Sequence, residues 1–243
     1  MVVGGGSEIA SALVKELFNL GNHEELSLIG RNGLSMDQAV LTGQKMFGAS
    51  KVCYLICDFT DPATTAMSVR KAMHDFKPTI SVIAAGINIV SPNSAEKAQM
   101  GLVNFVSMIA AGEEILQLNE GTQNTTLMVF SSIAAIRPRP SNYLYGSSKV
   151  ALDFWARGAM ASYPKSSEVI LVRLGKVSTL SSQNHPWAPF TKSPNHIGRR
   201  LASLIGGGSR TVWVPKSLGV FAKLISLLPG KFWEKISTFQ AKR

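Results

Sequence analysis

Ser132, Tyr145 and Lys149 are the side chains whose types and spacing could do chemistry together. Tyr145 lies thirteen residues after Ser132, and Lys149 four after Tyr145. From residue 145 to 154 the chain reads as a helix, so the phenol and the ammonium share one face, one turn apart. A phenol titrates near ~10, too high for easy proton exchange at neutral pH. An ammonium one turn away favours the phenolate and is expected to lower that value. A serine hydroxyl beside them can hold a carbonyl oxygen. The three can protonate that oxygen as hydride reaches its carbon, or run the reverse. The competing reading is a surface helix with an ordinary Tyr and Lys. What precedes the helix argues against it. The apolar run 127–130 reads as a buried strand, which puts Ser131 and Ser132 at its C-terminal end. In an open parallel sheet, ligands bind at that edge.

The other elements position these residues and add candidates at the same edge. Only Met1, Val2 and Val3 precede Gly4, where ~5 residues is usual for a strand. A start upstream of Met1 is therefore expected. Gly4-Gly5-Gly6-Ser7-Glu8-Ile9-Ala10 then opens an amphipathic helix that runs to Leu20. Glycines let a backbone approach pyrophosphate, and a helix N-terminus offers amide donors and positive dipole. Gly4, Gly6, Ser7, Glu8 and Ile9 are thus expected to face a dinucleotide; a plain turn is the alternative. The second strand, 26–29, ends at Gly30-Arg31-Asn32. An acid there binds a ribose 2′-hydroxyl, while an arginine accommodates a 2′-phosphate. Arg31 without an acid favours NADPH and leaves NADH open, and a solvated loop arginine is the competing reading.

Strand 52–56 leads to Asp58 and Phe59. Asp58 either accepts from the adenine amino group or, with Thr60 and Asp61, caps a helix starting near Pro62. A fourth strand, 81–85, brings Ala84 and then Gly86 to the edge. A helix over 97–118 carries Asn104 in its middle, unfavourable unless its amide bonds backbone or water. Strand 169–173 delivers Gly175, Val177 and Thr179 to the same edge. The irregular stretch 181–194 reads as a lid or substrate wall. A helix near 196–205 and a strand 211–214 follow. Strands and helices alternate without a linker or repeat. This predicts one α/β domain with a doubly wound, mostly parallel sheet of Rossmann type over 1–215, then a helical tail, 216–243.

The 243 residues suffice for one large core. Lys plus Arg is 25 against 15 Asp plus Glu, a net charge of +10. That balance implies anionic partners such as cofactor phosphates, lipid phosphates or a membrane surface. Nucleic acid is disfavoured, since no basic run interleaves with aromatics. Cys53 and Cys57 share one strand face and read as buried free thiols, which fits a reducing compartment. His185 and His196 lack partners at metal spacing, so no metal site is expected. No apolar run reaches the ~18 residues of a membrane span. The expected location is cytoplasmic, or peripheral at the inner face of the plasma membrane.

Taken in order, these residues resemble a short-chain dehydrogenase/reductase over nearly the whole length. Ser132, Tyr145 and Lys149 match the family's catalytic serine, tyrosine and lysine, and Asn104 its helix asparagine. The resemblance implies an NAD(P)H cofactor. It also implies that Asn104 holds a water in a proton relay, that Lys149 binds the nicotinamide ribose and that Thr179 contacts the nicotinamide amide. There are departures. Where the family has Thr-Gly-x-x-x-Gly-x-Gly, only Gly4 is kept, with Glu8 and Ala10 at the later glycines. Asn-Asn-Ala-Gly is Ile83-Ala84-Ala85-Gly86, and Pro-Gly is Leu174-Gly175. Gly-Gly-x-Ser-Glu-Ile, Tyr-Gly-Ser-x-Lys and a late Val-Trp-x-Pro resemble the subgroup that reduces decaprenylphosphoryl-2-keto-ribose. That implies a lipid-linked keto sugar of cell-wall biosynthesis, and a partner oxidase that supplies it. Alternatives are another lipophilic ketone, of steroid or 3-oxoacyl type, and a redox sensor without turnover. The complete residue set argues against a sensor.

Two further expectations concern the substrate side. Arg137 and Arg139, beside Tyr145, suit a phosphate, since arginine forks match its geometry; a solvated loop stiffened by Pro138 and Pro140 is the alternative. In the tail, Leu218, Phe221, Ala222, Ile225 and Leu228 recur at helical spacing, as do Phe232, Trp233, Ile236 and Phe239. Lys216, Lys223, Lys231, Lys235, Lys242 and Arg243 surround them, against the acid Glu234. Such a face is expected to lie in a headgroup layer. Packing on the core or a contact within a homo-oligomer is the alternative.

Overall fold

Runs of Val, Ile and Leu bounded by glycine turns form a sheet covered on both faces. The computed structural model describes residues 1–21, 23–121, 125–163, 167–183 and 188–241, and side chains as far as 237. Residues 184–187 of the expected lid, the Phe239 side chain, Lys242 and Arg243 lie outside the described residues.

The strands are β1 (Val2–Val3), β2 (Leu26–Gly30), β3 (Val52–Ile56), β4 (Ile80–Ile83), β5 (Thr125–Ser132), β6 (Ser167–Leu174) and β7 (Arg210–Val214). All pair in parallel, in the order β3-β2-β1-β4-β5-β6-β7. The order reverses between β1 and β4, so a crevice opens beyond their C-terminal ends. The helices are α1 (Glu8–Asn19), α2 (Leu34–Phe47), α3 (Pro62–Phe76), α4 (Ser94–Gly101), α5 (Ser107–Leu118), α6 (Tyr143–Ser162), α7 (Pro194–Ala202), α8 (Lys216–Leu227) and α9 (Gly230–Ala241).

Alternation along the strands builds two cores. Leu127, Val129, Val169 and Leu171 face one side, with Val69, Ile115 and Leu152 from α3, α5 and α6. Met128, Phe130, Ile170 and Val172 face the other, with Leu13, Met36 and Ile197 from α1, α2 and α7. Cys57 is buried and Cys53 half-buried, both unpaired. The body extends into the tail, since α8 buries Leu218, Ala222 and Ile225 and Leu218 packs beside Gly175.

Three expectations about elements are corrected. The helix over 97–118 is interrupted: α4 passes through a π turn, Leu102–Val106, into α5. The fourth strand ends at Ile83, because the Ala84 and Ala85 amides both donate to the Val3 carbonyl, which takes the chain off the ladder. In α8 the face picked out for a membrane is the buried one, with Leu218 at 2%, Ala222 at 1% and Ile225 at 8% exposure; in α9 Trp233 is buried at 9%, while Phe232 and Ile236 are exposed at 58% and 37%. Both sides of α8 are apolar, so periodicity alone could not choose between them. Among the described residues, no helix is long and apolar enough to cross a membrane.

Candidate active site

The crevice begins at the turn after β1. Gly4 has φ +101°, and a Cβ there would lie 2.4 Å from the Ala85 nitrogen. Only glycine lets this turn press against the end of β4. The Gly4 and Gly5 amides both donate to the Ile29 carbonyl, which fixes the entry to α1. Ser7 caps α1 through its hydroxyl, which accepts from the Ala10 amide. The first-turn amides of Glu8 and Ile9 have no intrahelical acceptor, and with the helix dipole they form a site for an anion. A dinucleotide pyrophosphate fits that cradle. Gly6 stands at its rim, where a Cβ would meet Ser35 at 3.0 Å.

One group there opposes an anion. Glu8 occupies a position the family fills with glycine, and its carboxylate accepts from the Leu180 amide at 2.7 Å. This bond straps the loop after β6 to the start of α1. In that loop Val177 is buried at 6% and Thr179 at 9% exposure. The Thr179 amide donates to the Ser182 hydroxyl at 3.0 Å. Arg31 is exposed just past β2. Asp58 accepts from the Thr60 amide at 2.9 Å, while Asp61 caps α3. The Phe59 ring is buried in the core and its carbonyl accepts from the Ser107 hydroxyl at 2.7 Å. Ile9 and Ala84 also lean on the core.

The structure brings Ser132, Tyr145, Lys149, Asn104 and Gly86 together. Ser132 ends β5, where its hydroxyl accepts from the Ala134 amide at 3.1 Å and acts to favour the Tyr145 phenolate. Lys149 is 4% exposed and donates to the Phe130 carbonyl at 3.1 Å. The Asn104 amide nitrogen donates to the Ile87 carbonyl at 2.8 Å and the Ser148 hydroxyl at 3.1 Å. Its oxygen accepts from the Ile87 amide at 2.7 Å. These bonds give a mid-helix asparagine its role and coincide with the π turn, a frequent mark of functional sites. A Cβ on Gly86 would lie 3.3 Å from Lys149 Nζ and 3.5 Å from Asn104 Oδ1, so glycine keeps that approach open.

The electrostatics differ from the sequence expectation. Burial pushes the Tyr145 hydroxyl above its ordinary value; the Ser132 hydrogen bond and the Arg139 cation pull it back. Lys149, expected to lower it, stands 5.8 Å from the phenol ring centre. Its own ammonium is lowered by burial to about 8. Arg139 is a cation that favours the phenolate, and Lys149 lies over the same ring. A lysine titrating near 8 can exchange protons close to neutrality.

Sequence reasoning missed the support under this site. Asp153, two turns beyond Tyr145 in α6, accepts from Arg173 of β6 at 2.7 and 2.8 Å. It also pairs with Arg157 at 3.3 Å and accepts from the Ser131 hydroxyl at 3.4 Å. These bonds fix α6 to β5 and β6. The signal was a charged residue, Arg173, directly after the apolar run 169–172.

The two loop arginines part ways. Arg137 donates to the Ile225 and Leu228 carbonyls at 2.7 and 2.6 Å and lies 5.5 Å from the Trp233 ring centre. Its Nη1 is engaged at the end of α8, while the residue lines the same cleft as Arg139. Trp233 donates to the Pro138 carbonyl at 2.6 Å. Arg139 is half-buried, and burial lowers its guanidinium. Among the described residues it has no ion-pair partner. It lines a cleft of about 330 Å³ with Arg137, Tyr143, Trp233, Ser237 and one carboxylate, Glu234. Among the described residues, no His, Cys, Asp and Glu cluster could hold a metal.

Comparison with known proteins identifies the family. The family model described as short chain dehydrogenase matches residues 1–186. An uncharacterized oxidoreductase of Mycobacterium tuberculosis is 26% identical over 97% of this chain and 96% of its own. One of Streptomyces coelicolor is 24% identical over 97% and 94%. Among solved structures, a short-chain dehydrogenase from Sphingobium yanoikuyae in complex with NADPH superposes with TM-score 0.76 at 16% identity, covering 94% of this chain and 96% of its own. An alcohol dehydrogenase from Thermococcus sibiricus complexed with 5-hydroxy-NADP gives 0.74 at 19%, covering 87% and 94%. With the family pattern spanning the glycine turn, Ser132, Tyr145 and Lys149, the chain belongs to the short-chain dehydrogenase family and is an oxidoreductase.

Proposed function

We propose that the protein is an NAD(P)H-dependent reductase of a keto group on a lipid-linked, phosphate-bearing sugar. The observation that carries this reading is the half-buried Arg139, which lines the 330 Å³ cleft beside Arg137 and whose charge favours the Tyr145 phenolate. A phosphate in that cleft would satisfy the guanidinium by a charge-assisted bond. A sugar anchored there would have to extend past Tyr143 to present its carbonyl to Ser132 and Tyr145.

A bound nicotinamide supplies hydride to the carbonyl carbon. The chain does the rest. Ser132 orients the carbonyl oxygen, Tyr145 delivers the proton, and Lys149 with Asn104 restores the proton to Tyr145 and holds the ribose. The Glu8 and Ile9 amides receive the pyrophosphate. Arg31 accommodates a 2′-phosphate, so NADPH is favoured and NADH remains a substrate. The bound neighbours with NADPH and 5-hydroxy-NADP support that choice. A homo-oligomer at the inner membrane face, fed by a partner oxidase, completes the reading.

The test is NADH and NADPH oxidation with a phosphorylated polyprenyl keto sugar and with a short, unphosphorylated keto analogue. Tyr145→Phe should lower kcat on both by ~10²–10⁴-fold. Arg139→Gln should raise KM for the phosphorylated substrate about tenfold or more and leave the analogue nearly unchanged. Equal KM shifts on both, or turnover only of a steroid or 3-oxoacyl ketone, would set the lipid-phosphate reading aside.

A further inference from the structure

The outermost face of α8 carries large aliphatic side chains that the fold does not use. Helical spacing places Val220, Leu224 and Leu227 on one side, opposite Leu218, Ala222 and Ile225. Val220 is 63%, Leu224 60% and Leu227 81% exposed. In α9, Phe232 and Ile236 stand four apart and are 58% and 37% exposed, while Trp233 and Ser237 turn inward. Single exposed apolar residues are ordinary. A stripe that points directly away from the body marks a contact surface.

Charge selects the occupant. Lys216 and Lys223 sit along one border of the α8 stripe, and Lys231 and Lys235 border the α9 pair; all four are exposed. No acid lies in α8, and α9 carries only Glu234. An apolar stripe edged with lysine is the pattern of a helix lying in a headgroup layer, with the lysine stems snorkelling to phosphate. A second copy of this chain on the same face would set lysine against lysine, which disfavours that contact. The Arg137 and Trp233 bonds hold α8 and α9 in place, so the surface is formed before anything docks on it.

We propose that Val220, Leu224 and Leu227, with Phe232 and Ile236, dock the protein in the plane of an anionic lipid surface. The α8 helix has 12 residues, against the ~20 needed to span a bilayer, so it lies along the surface. The proposal stands independently of which ketone is reduced.

Flotation of the full chain with vesicles of phosphatidylglycerol and phosphatidylcholine in equal parts, and with phosphatidylcholine alone, tests it. The chain should float with the anionic vesicles and far less with the neutral ones. Lys216→Gln or Lys223→Gln should weaken binding about fivefold each. The triple variant Val220→Ser, Leu224→Ser, Leu227→Ser should lower partitioning about a hundredfold. Because these side chains are exposed, its melting temperature should match wild type. Wild type that stays unbound at low salt, or a triple variant that floats like wild type, overturns the proposal. A sedimentation coefficient that the triple substitution changes without vesicles also overturns it, because the stripe then joins two copies of the chain.

Discussion

Lys149 shows how one buried cation can serve chemistry at a cost to stability. Its ammonium titrates near 8 instead of 10.5 because it is desolvated, with the Phe130 carbonyl as its hydrogen-bond acceptor. Between those two values the unfolded chain binds a proton that the folded chain has lost. Stability therefore rises with pH through that window, and the full cost of burial is present below about 8. Lys149→Met should make the cofactor-free protein more stable at pH 7, by roughly 2–3 kcal/mol. The advantage should shrink as pH approaches the ordinary lysine value. Urea unfolding of both proteins across that range measures it, and a pH-independent difference would contradict the assigned burial cost. Tyr145 faces the opposite balance, since burial raises it while Ser132 and Arg139 pull it down.

Elements bring together residues that local sequence cannot connect. The strap from Glu8 of α1 to the Leu180 amide joins the two lips of the crevice. Glu8→Gln keeps an acceptor for Leu180 and removes the charge beside the anion cradle. It should leave amide exchange at Leu180 unchanged and tighten dinucleotide binding about fivefold, the value of one nearby charge in a wet site. Glu8→Ala should speed exchange at Leu180 by tenfold or more, as the bond is lost. Equal exchange in wild type and the alanine variant would remove the strap. The π turn at Asn104 is of the same kind: a distant partner, Ile87, occupies both ends of the amide.

At the scale of the whole molecule, α8 and α9 are part of the body that carries the cleft. A chain ended at Pro215 loses the burial of Leu218, Ala222, Ile225 and Trp233. Each large side chain among them is worth ~1.5–3 kcal/mol, and Arg137 loses its carbonyl partners besides. The sum is comparable with the ~5–15 kcal/mol that holds a domain folded. The shortened chain should therefore be insoluble or melt at least ~10 °C lower in a thermal scan. Wild-type melting would show that the tail is dispensable to the body. Side-chain substitution on the exposed stripe avoids this loss.

The sequence by itself determined the parallel sheet, the strand–glycine–helix entry and the placing of Ser132, Tyr145 and Lys149 at one edge. Those features rest on short-range rules: apolar runs make buried strands, and residues four apart share a helix face. Tertiary structure alone decided the rest. Arg137 and Arg139 are two residues apart, chemically alike and both line the cleft, yet only Arg137 is tied to the carbonyls at the end of α8. Both faces of α8 are apolar, and only packing on the body chose which one is buried. Asp153 and Arg173 meet across α6 and β6, a pairing that periodicity does not encode. Burial raises the Tyr145 hydroxyl, with Ser132 and Arg139 pulling it back, a balance that the spacing of Tyr145 and Lys149 does not encode. Side-chain environment is set by what folds over a residue, and that is written in no single stretch of the chain.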